Sequence, residues 1–210
     1  MKQNKLILFD WGNIVESHIT GYSCKRAWQD LFKACGYNGE QTIHNNLAKY
    51  ELSAIKTPSE FEEVYYKIKE DFNLNTNFEE FLKLYFNFFD KIESYQNVRE
   101  YEVSLKDKCY IGILSNLTIY DKDRIDKQQR LKDYDYVFLS FELGLRKPNI
   151  KIYEEVQKRL PFNKEDILFI DDNLNNINSA KEFGWNTLQA TGLELDKIKE
   201  ACNKFLENQM

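Results

Sequence analysis

Four short runs of aliphatic and aromatic residues constrain this chain more than any other feature: LILF at 6–9, YIGIL at 110–114, YVFL at 136–139 and ILFI at 167–170. None alternates apolar with polar, so neither face of such a strand can meet water. That is the pattern of a parallel sheet covered on both sides. A weaker fifth run lies at 187–190. Between the later runs, segments 97–108, 121–132, 149–159, 174–183 and 194–207 read as helices. Strand and helix in alternation predict an α/β fold with a doubly wound, Rossmann-like parallel sheet.

The interval between the first two runs has a different texture. Residues 15–92 contain no strand-like run but several amphipathic stretches. Thr57, Pro58 and Glu60 spell a helix start, with a capping hydroxyl, a proline at the first helical position and a returning carboxylate. Phe78, Phe81, Leu82, Tyr85, Phe88, Phe89 and Ile92 fall at helical spacing, as a bundle interior requires. The expected organisation is therefore a core made of 1–14 and 93–210, with a helical module at 15–92 inserted after the first strand.

Ligands of doubly wound sheets sit beyond the carboxyl ends of the strands, so the residues just after each run are a test of function. The first run ends at Asp10, the second at Ser115 and Asn116, and the fourth at Asp171 and Asp172. After the third comes Lys147, at the start of a helix. Each alone has a plain reading as a helix cap, a turn residue or a surface charge. Four successive strand ends delivering acid, hydroxyl, lysine and paired acids to one edge are harder to read that way.

Bulk properties narrow the partners. Net charge is −5 with acids and bases interspersed, which argues against nucleic acid or an anionic membrane. No GxGxxG follows any run, so a dinucleotide is unsupported. The four cysteines form no CxxC pair and read as reduced thiols. The apolar start is too short for a signal peptide and no stretch approaches a membrane span, so a cytoplasmic location is expected.

"FDWGN", "ILSN", "LGLRKPNIKIY" and "FIDDNLNNINSA" together resemble the four motifs of the haloacid dehalogenase-like hydrolase superfamily. Within it they are similar to the α-D-glucose-1-phosphate phosphatase-like branch, which also carries glycine two residues after its aspartate. The resemblance spans the core and is nearly silent across 15–92. It implies a Mg²⁺-dependent phosphatase acting on a small phosphorylated metabolite, a sugar phosphate among the candidates, beneath a helical cap. Asp10 would be the nucleophile and form an aspartyl phosphate, while Lys147 sets a positive charge against nucleophile and phosphate. Mg²⁺ would be held by Asp10, Asp171, Asp172 and the backbone carbonyl of Gly12. Trp11, Ser115, Asn116 and Lys147 would face the substrate. These are the parts a phosphate monoester demands: a nucleophile, charge neutralisation and hydrogen-bond donors.

Gly12 departs from the superfamily's usual pattern, in which a carboxylate at this place protonates the leaving oxygen. Such help is worth about 10²–10⁴-fold in rate. Either a substitute exists, with Glu16 and His18 as candidates, or the substrate's leaving group needs less protonation. His44 reads as a surface residue. Two other functions fit the same residues: a catalytically impaired phosphate-binding or scaffold protein of this fold, and a 2-haloacid dehalogenase. Against the latter, bare carboxylates at Asp171 and Asp172 would repel a carboxylate substrate.

Overall fold

The computed structural model describes residues 2–16, 22–40, 42–127 and 131–209. The apolar runs are strands β1 (Leu6–Phe9), β2 (Tyr110–Ser115), β3 (Tyr136–Leu139), β4 (Ile167–Asp171) and β5 (Asn186–Gln189). All pair in parallel in the order β3-β2-β1-β4-β5, with β1 central. The fifth strand begins one residue earlier than its apolar run, and β4 extends to include Asp171.

Helices α1 (Cys24–Ala34), α2 (Ile43–Leu47), α3 (Pro58–Phe72) and α4 (Phe78–Phe89) lie between β1 and β2, and α5 (Gln96–Ser104) runs back to the sheet. The rest are α6 (Ile119–Lys127), α7 (Ser140–Leu143), α8 (Ile150–Lys158), α9 (Leu174–Phe183) and α10 (Leu195–Leu206). The helix expected over 97–108 ends at Ser104 and tightens into a 3₁₀ turn at Leu105–Asp107. The one expected over 121–132 starts earlier, at Ile119, and ends at Lys127. The short α7 is not legible in the sequence: four residues are too few to show a period, and it stops at Gly144 with φ 67°.

The unbroken apolar strands are buried on both faces, as a parallel sheet demands. Ile7, Phe9, Ile111, Ile113, Leu168 and Ile170 point to one side and pack on α5, α6 and α10. Leu6, Leu8, Leu114, Ile167 and Phe169 point to the other and pack on α8 and α9.

Helices α1, α3 and α4 enclose a separate cluster made largely of rings. Phe32 meets Phe72 edge-on at 5.1 Å, Trp28 meets Phe89 at 5.1 Å, and Tyr85 stacks on Phe89 at 4.1 Å. The start of α3 obeys its sequence signature: Glu60 N–H donates to Thr57 Oγ1 at 3.3 Å, and Thr57 N–H to Glu60 Oε2 at 3.1 Å. Core helix α6 is shared, because Ile119 and Tyr120 pack on the ring cluster while Ile125 packs under the sheet. The two chain crossings run side by side, with Glu16 bridged to Ser94 and Tyr95 N–H donating to the Val15 carbonyl at 2.9 Å. Among the described residues no helix is long and apolar enough to cross a membrane.

Candidate active site

The central strand ends at Asp10, and its neighbours bring partners to either side of it. From β2, Ser115 Oγ donates to Asp10 Oδ1 at 2.7 Å. From the loop after β3, Lys147 Nζ lies 2.9 Å from Asp10 Oδ1, 2.7 Å from Asp171 Oδ2 and 2.7 Å from the Leu114 carbonyl. Lys147 is only 1% exposed, so its three contacts replace water. Although burial works against its charge, Asp10 and Asp171 hold its pKa above the ordinary lysine value.

Asp171 is fully buried and heavily engaged. Besides Lys147 it accepts from Asn173 N–H at 2.8 Å and from Asn176 Nδ2 at 3.1 and 3.0 Å on its two oxygens. Asp172 lies at the rim, where Asn13 Nδ2 donates to its Oδ2 at 2.6 Å. Asn13 adopts φ 60°, a left-handed conformation that asparagine tolerates, and its carbonyl accepts from Gly192 N–H at 2.7 Å.

One oxygen each of Asp10, Asp171 and Asp172 fall within 4.8 Å of one another. Burial pushes the Asp10 carboxyl up to about 7 against the pull of Lys147, and Asp171 and Asp172 push the same way. Burial raises Asp172 as well. Three converging carboxylates with one lysine leave negative charge uncompensated, and a hard, oxygen-seeking divalent cation fits that donor set. No described donor reaches Asp10 Oδ2, and no hydrogen bond among the described residues takes the Gly12 carbonyl.

The remaining residues singled out in the sequence take varied places. Asn116 clamps the main chain of Lys147: its Nδ2 donates to the Lys147 carbonyl and its Oδ1 accepts from the Lys147 N–H, both at 2.9 Å. Trp11 does not present its ring to a ligand. The indole is wholly buried in the core beneath the sheet, and only the backbone N–H faces the site, 3.4 Å from Ser115 Oγ. An apolar body next to a core strand has more to gain from burial than from the cleft. Glu16 is not a free acid either, since it is buried and paired in bidentate fashion with Arg124. His18 lies outside the described residues, and His44 is exposed. The four cysteines are free thiols.

Gly12 needs no special backbone. A Cβ there would meet only Asp10 Oδ2, at 3.9 Å, among the described residues. Sequence reasoning overlooked Asn13 and Asn176, which aim the motif acids. The available signal was their spacing: Asn176 comes five residues after Asp171, so the first turn of α9 returns its amide to the strand end.

The profile of a family described as "Haloacid dehalogenase-like hydrolase" matches residues 20–190. Among curated proteins, a drimenol cyclase from Aspergillus calidoustus is 27% identical over 158 residues, covering 73% of this chain and 26% of that protein. A D-ribitol-5-phosphate phosphatase from Bacteroides thetaiotaomicron is 27% identical over 118 residues, covering 53% of this chain and 56% of that protein. Similarity thus spans about half or less of those relatives' length. A solved Bacteroides thetaiotaomicron HAD-family enzyme, a variant complexed with magnesium and inorganic phosphate, aligns with TM-score 0.69 at 20% identity. It covers 91% of this chain and 96% of that one.

Proposed function

Because the chain belongs to the haloacid dehalogenase-like hydrolase family, we propose that it is a Mg²⁺-dependent phosphatase of a small phosphorylated metabolite. Helices α1–α4 serve as its cap. The observation that supports this most is the single buried network joining Ser115, Asp10, Lys147 and Asp171, with Asp172 at its rim. The similarity to a ribitol-phosphate phosphatase and the magnesium and phosphate held by a protein of the same fold point the same way.

Asp10 is the nucleophile. A lone pair on its carboxylate forms the bond to phosphorus, and the bond from phosphorus to the ester oxygen breaks with its electrons leaving on that oxygen. Water then hydrolyses the aspartyl phosphate and returns the carboxylate. Lys147 holds Asp10 in register through the contact at 2.9 Å and offers its charge to the phosphate. Ser115 turns its hydroxyl from Asp10 to a phosphate oxygen once the nucleophile is engaged. Asn116 fixes the main chain that carries Lys147. Asp10, Asp172, Asp171 and the Gly12 carbonyl would hold Mg²⁺, which when bound neutralises the carboxylates and the phosphate oxygens.

The leaving oxygen receives no proton from position 12. Glu16 is tied to Arg124, which favours the second of the two explanations of Gly12: a substrate whose leaving group departs with little assistance. The test is a panel of metabolite phosphates assayed with Mg²⁺ and with EDTA. Phosphate release that needs Mg²⁺ is expected. Hydrolysis undiminished in EDTA, or none across the panel, would refute the reading.

A further inference from the structure

Five polar side chains are buried together where the helical insert meets the sheet core: Glu16, Tyr85, Thr118, Asp121 and Arg124. They come from three places in the chain. Glu16 stands at the crossing out of β1, beside Ser94 at the crossing back. Tyr85 belongs to α4, whereas Thr118, Asp121 and Arg124 come after β2 and lie on or just before α6. Arg124 grips Glu16 with two guanidinium nitrogens, the second at 3.1 Å, and approaches Asp121 Oδ1 at 3.5 Å. The Tyr85 hydroxyl donates to the same Asp121 oxygen at 2.9 Å and lies 3.0 Å from Thr118 Oγ1. Thr118 in turn donates to Asp121 Oδ2 through its N–H at 2.8 Å and its hydroxyl at 2.9 Å.

We propose that this cluster is a latch: Asp121 and Arg124 on α6 hold both the crossing at Glu16 and helix α4 at Tyr85, and so set the pose of the insert relative to the Asp10 carboxylates. The positioning residues are Tyr85, Asp121 and Arg124, which act through the insert. Stability alone is a poor reason for the arrangement, because well-packed apolar side chains serve as well as or better than a buried ion pair. What ions and directed hydrogen bonds add is a single geometry. The Tyr85 ring is kept by its stack on Phe89 at 4.1 Å, so the hydroxyl is spare for a directional task. The latch also ends on the segment just after Ser115 and Asn116, tying the insert to the site's own loop.

The latch goes beyond the phosphatase reading and is tested without turnover. Cys24, at the start of α1, is half-buried, whereas Cys35, Cys109 and Cys202 are buried. Cys24 packs at the edge of the ring cluster that contains Tyr85, and burial together with Asp121, Glu16 and Asp10 pushes its thiol up to about 12. The experiment is iodoacetamide labelling of the intact protein, with each cysteine scored by peptide mass, in the parent, Tyr85→Phe and Arg124→Lys. Tyr85→Phe should speed labelling of Cys24 about tenfold, the shift allowed by losing one hydrogen bond to a charged group, while the other three cysteines stay protected. Arg124→Lys, which keeps the charge but loses the two-pronged grip, should act in the same direction. An unchanged Cys24 rate in both variants overturns the latch. So does a rise shared by all four thiols, which would mark a general loosening of the fold.

Discussion

At the carboxyl ends of its strands the core buries Asp10, Lys147 and Asp171 in one network, whereas the helical insert fills its interior with rings. Among the described residues between 22 and 92, no charged side chain is buried. The contrast separates two tasks. Burying charge is costly unless every group is paired, so a region that does it is held to one geometry by hydrogen bonds. Burying aromatic rings stabilises without demanding that geometry, and leaves the insert free to vary its surface. The two regimes meet at α6, whose Tyr120 joins the rings while its Asp121 and Arg124 join the charges.

The largest expected effect would separate the regions outright. Asp10→Asn should cut phosphate release by about 10⁴-fold or more, as loss of a nucleophile does, with an unchanged circular dichroism spectrum. If the variant turns over like the parent, the core edge is not the reacting site. The counterpart in the insert is Phe32→Ala. Phe32 is fully buried, with rings on several sides, so truncation should cost about 3–5 kcal/mol in urea unfolding. Turnover per folded molecule should fall far less than in Asp10→Asn. Comparable losses in both would break the division of labour.

Gly12→Asp sharpens the comparison at the boundary of the site. With only Asp10 Oδ2 within 4 Å of the new Cβ among the described residues, the side chain has room. It should help poor leaving groups most, by up to about 10²-fold, the lower end of what general acids contribute. Single-turnover rates across esters of graded leaving-group pKa measure it. A flat dependence in the parent would mean that another group already supplies the proton.

The smallest effect is on stability. The Asp10 pKa of the metal-free fold, about 7, lies above its ordinary value of 3.8, so the folded state holds the extra proton between these values. Metal-free stability from this group is therefore lost as pH rises through that window. Glu102, pushed up to about 8 by burial, adds to the same slope, so the Mg²⁺ increment rather than the slope reports on the site. Mg²⁺ should raise the free energy of unfolding more at pH 8 than at pH 5, where protons compete, the difference being about 1–2 kcal/mol. An increment independent of pH would place the ion away from Asp10.

Legibility in the sequence tracked physical range. Strands β1, β2 and β4 were readable because burial on both faces leaves a continuous apolar run, and Thr57 to Glu60 was readable because a capping box closes within four residues. Asp10, Lys147, Asp171 and Asp172 could be nominated because a parallel sheet brings its carboxyl ends together whatever the loops do. The clamp of Asn116 on Lys147 was not readable for want of its partner: whether an amide meets a neighbouring main chain depends on a loop 31 residues away. That Trp11 turns its ring into the core and only its backbone N–H toward the site was not readable, because successive residues at a strand end alternate between cleft and core and one residue shows no period.

What the chain determined by itself is what local patterns encode: a parallel sheet, helices placed between its first two strands, and the order in which the candidate site residues reach one edge. Tertiary structure alone decided the pairings across distance. It set Lys147 between two aspartates, put Glu16 in the grip of Arg124, and carried a tyrosine of the ring cluster onto Asp121. Such choices depend on the positions of donors and acceptors to within a few tenths of an ångström, and side-chain identities leave those positions open until packing closes around them.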